Sequence, residues 1–333
     1  MGKNIYDMLN DITIDINELS RENFNDLENK TFIKTFKKSI NKNINKKRKI
    51  ALIASFASFM ILGVGLSSEA LADIQLKMFD IGYYLSTNKN LDDYKTLINS
   101  SITKNGVTIQ LNEVIIDNNE VIVSSTIKSD FKLDEGGIYP FGYLYVNGKL
   151  ASGAGGSGRA IDDYTFESVT IYRLDEELPL GTLDIKLKHK HVLNGTKEIK
   201  GPWNFEFTAS GEQLSIDTIE NNINYDFILN NNQKITLNKY TINDVGQKIY
   251  YSIENKTENY QLELRGLDDL GNEVTFYQSY ENNENGLLKP YPQISDKAKI
   301  LTLTPYAVPF PKESGEANKD YKKIGEQFTI NIN

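Results

Sequence analysis

The sequence predicts a mainly β protein: short cytoplasmic helices, one transmembrane helix, then two antiparallel β-sandwich (Ig-like) domains. Three observations carry that reading. Ile50 to Leu66 is a run of seventeen residues without a charge. From Ile102 onward the apolar residues recur with a period of two, the mark of half-buried strands. Strand patterns of the first half then return roughly 120 residues later, which suits one β domain per copy.

Residues 1–49 hold two helical patterns. Ile5, Met8, Leu9 and Ile12 fall at i, i+3, i+4 and i+7 and make one apolar stripe, with Tyr6 beside it and Asp7, Asn10 and Asp11 opposite. Asn25 and Glu28 form an N-cap pair that opens a second helix, placing Phe32, Phe36 and Ile40 near one face. A segment this short cannot bury enough apolar surface to fold alone, so its stripes need a partner. Residues 31–49, basic and apolar, suit the lipid surface. Residues 4–28, acidic and apolar, suit the groove of a partner protein, because acids avoid an anionic leaflet.

Residues 50–67 read as the transmembrane helix. Seventeen residues span about 26 Å at 1.5 Å each, slightly less than a hydrocarbon core of about 30 Å. Lys49 reaches the interface at one end and Ser67-Ser68 sit among headgroups at the other. Between Thr31 and Lys49 there are eight Lys or Arg residues and no acid. That bias keeps the N-terminus in the cytoplasm and exports the rest, a single-pass arrangement at the cell membrane. Ala70-Leu71-Ala72 fits a small-x-small cleavage pattern, with Ala70 and Ala72 as its candidate residues. Forty-nine patterned residues before the apolar run point to an uncleaved anchor at rest, not a signal peptide.

Residues 68–98 continue as a helical stalk through Ile74, Met78, Ile81 and Leu85, with a second short helix over Leu91–Ile98. The first β domain covers residues 99–209. Val107, Ile109 and Leu111 alternate, residues 116–121 form a turn, and Tyr143–Val146 followed by Asn147-Gly148 is a hairpin signal. Tyr164–Tyr172, Thr182–Leu193 and Trp203–Phe207 supply more strands. The second domain, residues 210–333, starts near Ser210-Gly211-Glu212. Ile109-Gln110-Leu111-Asn112 and Val121–Ser124 recur in it as Ile235-Thr236-Leu237-Asn238 and Ile249–Ser252. Leu183–Leu187 has its counterpart near Ile300–Leu303, and the strand ending at Phe207 is matched by Phe328–Ile332.

Composition removes several chemistries. There is no cysteine, hence no disulfide, thiolate metal site or cysteine nucleophile. Residues 1–49 carry eleven bases and seven acids, and the remainder twenty-six bases and thirty-eight acids, balances of +4 and −12. An acidic exterior argues against nucleic acid and anionic wall polymers as partners. His189 and His191 share one strand face but have no third metal ligand nearby in sequence. Gly153–Arg159 is glycine-rich without the Lys-Ser/Thr ending of a phosphate loop and reads as a mobile hairpin tip. Asp162-Asp163 and Asp268-Asp269 read as solvated turns. No nucleophile elbow accompanies the histidines, so the expectation is a protein that is not an enzyme and carries no metal or cofactor.

Ile5-Tyr6-Asp7-Met8-Leu9-Asn10-Asp11, the KKRK before the anchor, Ala-Leu-Ala after it and residues 101–127 together resemble a known family. Its members are single-pass membrane proteins of low-G+C Gram-positive bacteria, encoded beside extracytoplasmic-function sigma factors and treated as their anti-sigma factors. Their ectodomains are of unknown function. The resemblance implies a sigma-factor partner held by Ile5, Tyr6, Met8, Leu9 and Ile12, and an envelope signal read outside. The chain departs from the best-known anti-sigma pattern in lacking cytoplasmic His and Cys, so the zinc-binding form of that domain is absent. The competing class is a surface-anchored β-sandwich adhesion or structural module whose cytoplasmic tail only sets topology. A sigma-factor gene immediately upstream separates the two.

Overall fold

The computed structural model describes residues 81–311 and 320–332, and within them the chain is mainly β. A short helix α1 (Ile81–Leu85) enters the first module. Its strands are β1 (Thr96–Lys104), β2 (Val107–Asp117), β3 (Glu120–Ser129), β4 (Ile138–Val146), β5 (Lys149–Leu150), β6 (Gly153–Asp162), β7 (Thr165–Arg173), β8 (Thr182–Asn194) and β9 (Lys197–Ser210). They form two antiparallel sheets, in the orders β1-β2-β3-β7-β6 and β5-β4-β8-β9. One core lies between the sheets, from Ile109, Leu111 and Val123 on one side to Leu144, Ile185, Leu187 and Phe205 on the other. Trp203 is fully buried there, and its indole N–H donates to the Val107 carbonyl at 3.1 Å. Strand β8 alternates buried and exposed along TLDIKLK, as a strand with one wet face should.

Helix α2 (Glu212–Asp217) leads into the second module. This module contains β10 (Ile219–Ile228), β11 (Lys234–Asn243), β12 (Gly246–Glu254), β13 (Tyr260–Asp268), β14 (Glu273–Glu281), β15 (Asn285–Pro290), β16 (Ile300–Pro309), β17 (Lys322–Lys323) and β18 (Phe328–Asn331). All nine belong to one antiparallel sheet, β10-β11-β12-β15-β14-β13-β16-β17, with β18 also on β16. The sheet curls until its two edges meet. Tyr225 of β10 stacks on Phe328 of β18 with ring centroids 4.2 Å apart, and its hydroxyl donates to the Glu326 carbonyl at 2.7 Å. The expected pair of separate sheets is therefore not what the second module has.

Strand order explains the difference and bears on the repeat. Both modules run in the same spatial order, with β14 standing where β5 and β6 stand together. The first half of β14 pairs with β13 and its second half with β15. In the first module the equivalent strand breaks at Ala151-Ser152, so β5 stays with β4, β6 stays with β7, and the sheet divides. The matched Ile-x-Leu-Asn segments carry the same irregularity, a register shift after Leu111 in β2 and after Leu237 in β11.

Several local expectations change. The expected helix at Leu91–Ile98 gives way to turn residues and the start of β1 at Thr96. Gly153–Arg159 is strand, not a hairpin tip, because all seven of its residues pair with β7. A register shift between His189 and His191 separates the two histidines: His189 is buried in line with Leu187, and burial resumes only at Val192. The Asn147-Gly148 turn is present, with both residues at positive φ, 48° and 82°. Asp162 and Asp268 end strands β6 and β13, their carboxylates accepting backbone N–H bonds from Tyr164, and from Leu270 and Asn272, of the turns that follow, and Asp268 is buried where the sequence reads as solvated. Among the described residues no helix is long and apolar enough to cross a membrane, and no three metal-ligating side chains converge. Residues 50–67, expected to form a transmembrane helix, lie outside the described residues.

Candidate functional site at the seam between the modules

Strands β2 and β3 set up the site. Their outer halves are buried on both faces, so from Val114 the sequence stops alternating and reads VII, then VIV after the turn. One face belongs to the module core. The other carries Ile115 and Ile122, which pack with Ile81 and Leu91 of the entering segment, Val169 of β7, Leu214 of α2 and Val245 of the β11–β12 turn. The chain that enters from the stalk therefore lies in the seam where both modules meet.

Polar contacts fasten it there. The Ile81 N–H donates to Glu113 Oε1 at 3.0 Å, and Lys95 lies 3.6 Å from the other carboxylate oxygen. The Thr87 hydroxyl donates to the Asp244 carbonyl at 3.0 Å, and Lys89 pairs with Asp296. The Tyr94 hydroxyl stands 3.1 Å from carboxylate oxygens of both Asp217 and Asp244. Burial, then the Asp244 charge, push that phenol well above its usual range.

Beside the stalk lies a buried ionic cluster built from both modules. Glu120, fully buried at the start of β3, accepts from Arg173 Nε at 2.8 Å, Lys248 Nζ at 2.5 Å and Lys289 Nζ at 3.2 Å. Lys248 of β12 also donates to Asp117 Oδ2 at 2.5 Å, and Asn243 donates to Asp117 Oδ1 at 2.9 Å. Burial by itself would raise the Glu120 carboxyl, but Lys248, Lys289 and Arg173 outweigh it and hold the group far below the usual range. For Lys248, burial favours the neutral amine, and the Asp117 and Glu120 charges overcome that and raise it. Lys289 goes the other way: burial, with Lys248 and Arg173 nearby, pushes it down to about 8 despite Glu120. Further out, Lys239 joins Glu177 of the first module at 2.6 Å and Glu220 of the second at 2.8 Å. These two and Asp117 line a cleft of about 300 Å³ in the seam.

Sequence reasoning missed this cluster. Asp117 and Glu120 fall in the turn read over residues 116–121, and nothing in the sequence singles out Lys248. The available signal was a charge in an apolar run, Glu113 before Val-Ile-Ile and Glu120 before Val-Ile-Val. The residues expected to bind a partner, Ile5, Tyr6, Met8, Leu9 and Ile12, and the candidate cleavage residues Ala70 and Ala72, lie outside the described residues.

The fold and seam define a tandem β-module protein with its entry segment built into the intermodule contact. Comparison with known proteins adds families without functions. Residues 42–129 match a domain of unknown function (DUF4179), and residues 218–332 match a family of unknown function (DUF5643), the latter spanning β10 to β18. No curated protein matches. Among solved structures, the conserved domain protein from Bacillus anthracis aligns with a TM-score of 0.57 and 18% identity, over 77% of this chain and 100% of that one. At that identity the likeness is one of fold. The collagen adhesin of S. aureus aligns at 12% identity over 71% of this chain and 94% of its own, with a TM-score of only 0.12, so it carries no argument.

Proposed function

We propose that this chain is a single-pass membrane regulator that acts by binding, not catalysis. Its cytoplasmic segment sequesters an extracytoplasmic-function sigma factor, and its β modules outside sense an envelope signal. The observation that carries this reading is the seam: Ile81 to Tyr94, the segment leading from the anchor, is packed and hydrogen-bonded where the two modules join. A change in how the modules meet would reach the stalk directly. The resemblance of residues 4–16 and 46–127 to membrane anti-sigma factors supports the same reading, and the family match at 42–129 overlaps its second part.

The test is in the cytoplasmic stripe. Met8→Asp with Leu9→Asp should release transcription from the sigma-dependent promoter by about tenfold or more, since burying two carboxylates in an apolar groove costs several kcal/mol. A variant that reaches the membrane and still represses refutes sigma binding through this face.

A further inference from the structure

We propose that Lys248 and Asp117 condense within the folded chain to a side-chain amide that staples β12 to β2, with Glu120 carrying the protons. Lys248 is the one buried lysine among the described residues. Its side chain is 3% exposed, that of Asp117 5% and that of Glu120 0%. The amine nitrogen stands 2.5 Å from Asp117 Oδ2 and 2.5 Å from Glu120 Oε2. A buried ion pair stabilises a fold no better than an apolar pair of the same size, so stability does not account for this one. What the arrangement supplies is a nucleophile pressed against a carboxyl group. The carbon to be attacked lies one C–O bond beyond Oδ2, the contact from which amines add at about 3–3.5 Å.

The remaining contacts assign the roles. Glu120 also accepts from Arg173 and Lys289, which keep it ionised and ready to take a proton. Asp117 Oδ1 accepts from the Asn243 side-chain N–H at 2.9 Å, a donor placed where negative charge gathers when the carboxyl carbon is attacked. In the first step the Lys248 ammonium passes one proton to Asp117 Oδ2, turning two buried charges into none; burial favours that neutral amine. The amine then adds to Cγ, Glu120 takes a second proton from the nitrogen, and Oδ1 carries the charge. The C–Oδ2 bond breaks as Glu120 returns its proton, so Oδ2 leaves as water and one hydrogen stays on the amide nitrogen. No oxidant or co-reactant is needed. With the bond in place the modules pivot about β2 and β12 instead of dissociating, which still lets the stalk entry come free. The inference does not depend on sigma binding, and either can fail without the other.

Mass spectrometry of the full-length chain, denatured and cut with trypsin, reads the bond directly. Trypsin does not cut at an acylated lysine, so the amide yields a branched peptide joining residues 105–128 to residues 240–256, lighter by one water than the two together. Asp117→Asn keeps the size of the side chain and should release ammonia in place of water, giving a branched peptide of the same mass as the wild type. Asp117→Ala and Lys248→Met should give linear peptides only. Glu120→Gln should slow bond formation by about a hundredfold or more, followed as the branched fraction against time after synthesis. If that variant fails to fold, the equal branched masses from the wild type and Asp117→Asn still carry the test. Linear peptides from the wild type, a branch that survives Asp117→Ala, or a wild-type rate in folded Glu120→Gln would each overturn the proposal.

Discussion

Glu120 shows how one residue ties the modules together. Three cations from three strands converge on its buried carboxylate, so its removal leaves like charges facing one another, two of them buried. Glu120→Ala should therefore cost about 3–5 kcal/mol, measured by denaturant unfolding, well beyond the 1 kcal/mol or less of an exposed pair. The deeply lowered Glu120 carboxyl contributes stability that is complete above the unfolded value near 4.5 and is lost progressively as the pH falls below it. Lys289 has the opposite linkage. It titrates near 8 in the folded chain and near 10.5 unfolded, so between those values the unfolded state holds more protons and this group makes stability rise with pH. Lys289→Met should flatten the slope of unfolding free energy over that window. An unchanged slope would show that Lys289 is not held as described.

The elements differ in how far the sequence disclosed them. Strands with one wet face, such as β8, were legible because alternation records a single buried side. The Asn147-Gly148 hairpin was legible because its positive φ values select those residues. What pattern could not disclose was long-range. The glycine run of β6 lacks the β-branched residues that mark strands and is held by pairing to β7 instead. The register shift that parts His189 from His191 depends on where β9 pairs. The doubly buried ends of β2 and β3 were visible as apolar runs, but not what covers them. The cover is the stalk entry, and this is testable at Ile81, which is fully buried. Ile81→Ala should cost about 2–5 kcal/mol of local stability, since a cavity opens against Ile115 and Ile122. Hydrogen exchange should then quicken at residues 81–94 while the β8–β9 core keeps its protection.

At the scale of the whole molecule, the family resemblance named a partner class, and the physical pattern alone could not. Amphipathic spacing says that a stripe needs covering, not by what. The fold adds a contact between distant parts: two modules of one strand order meet at a seam, and residues 81–94 pack into it. In this account an envelope signal separates the modules and frees residues 81–94, and a protease then cuts near Ala70 and Ala72. The most direct test is an ectodomain immunoblot of unstressed cells carrying the full-length chain or its Ile81→Asp, Leu91→Asp variant. The account predicts intact wild-type chain and a variant cut near Ala72, because two buried carboxylates force the stalk out of the seam. Complete processing of the wild type at rest, or a variant that stays intact while hydrogen exchange shows its stalk released, would contradict it.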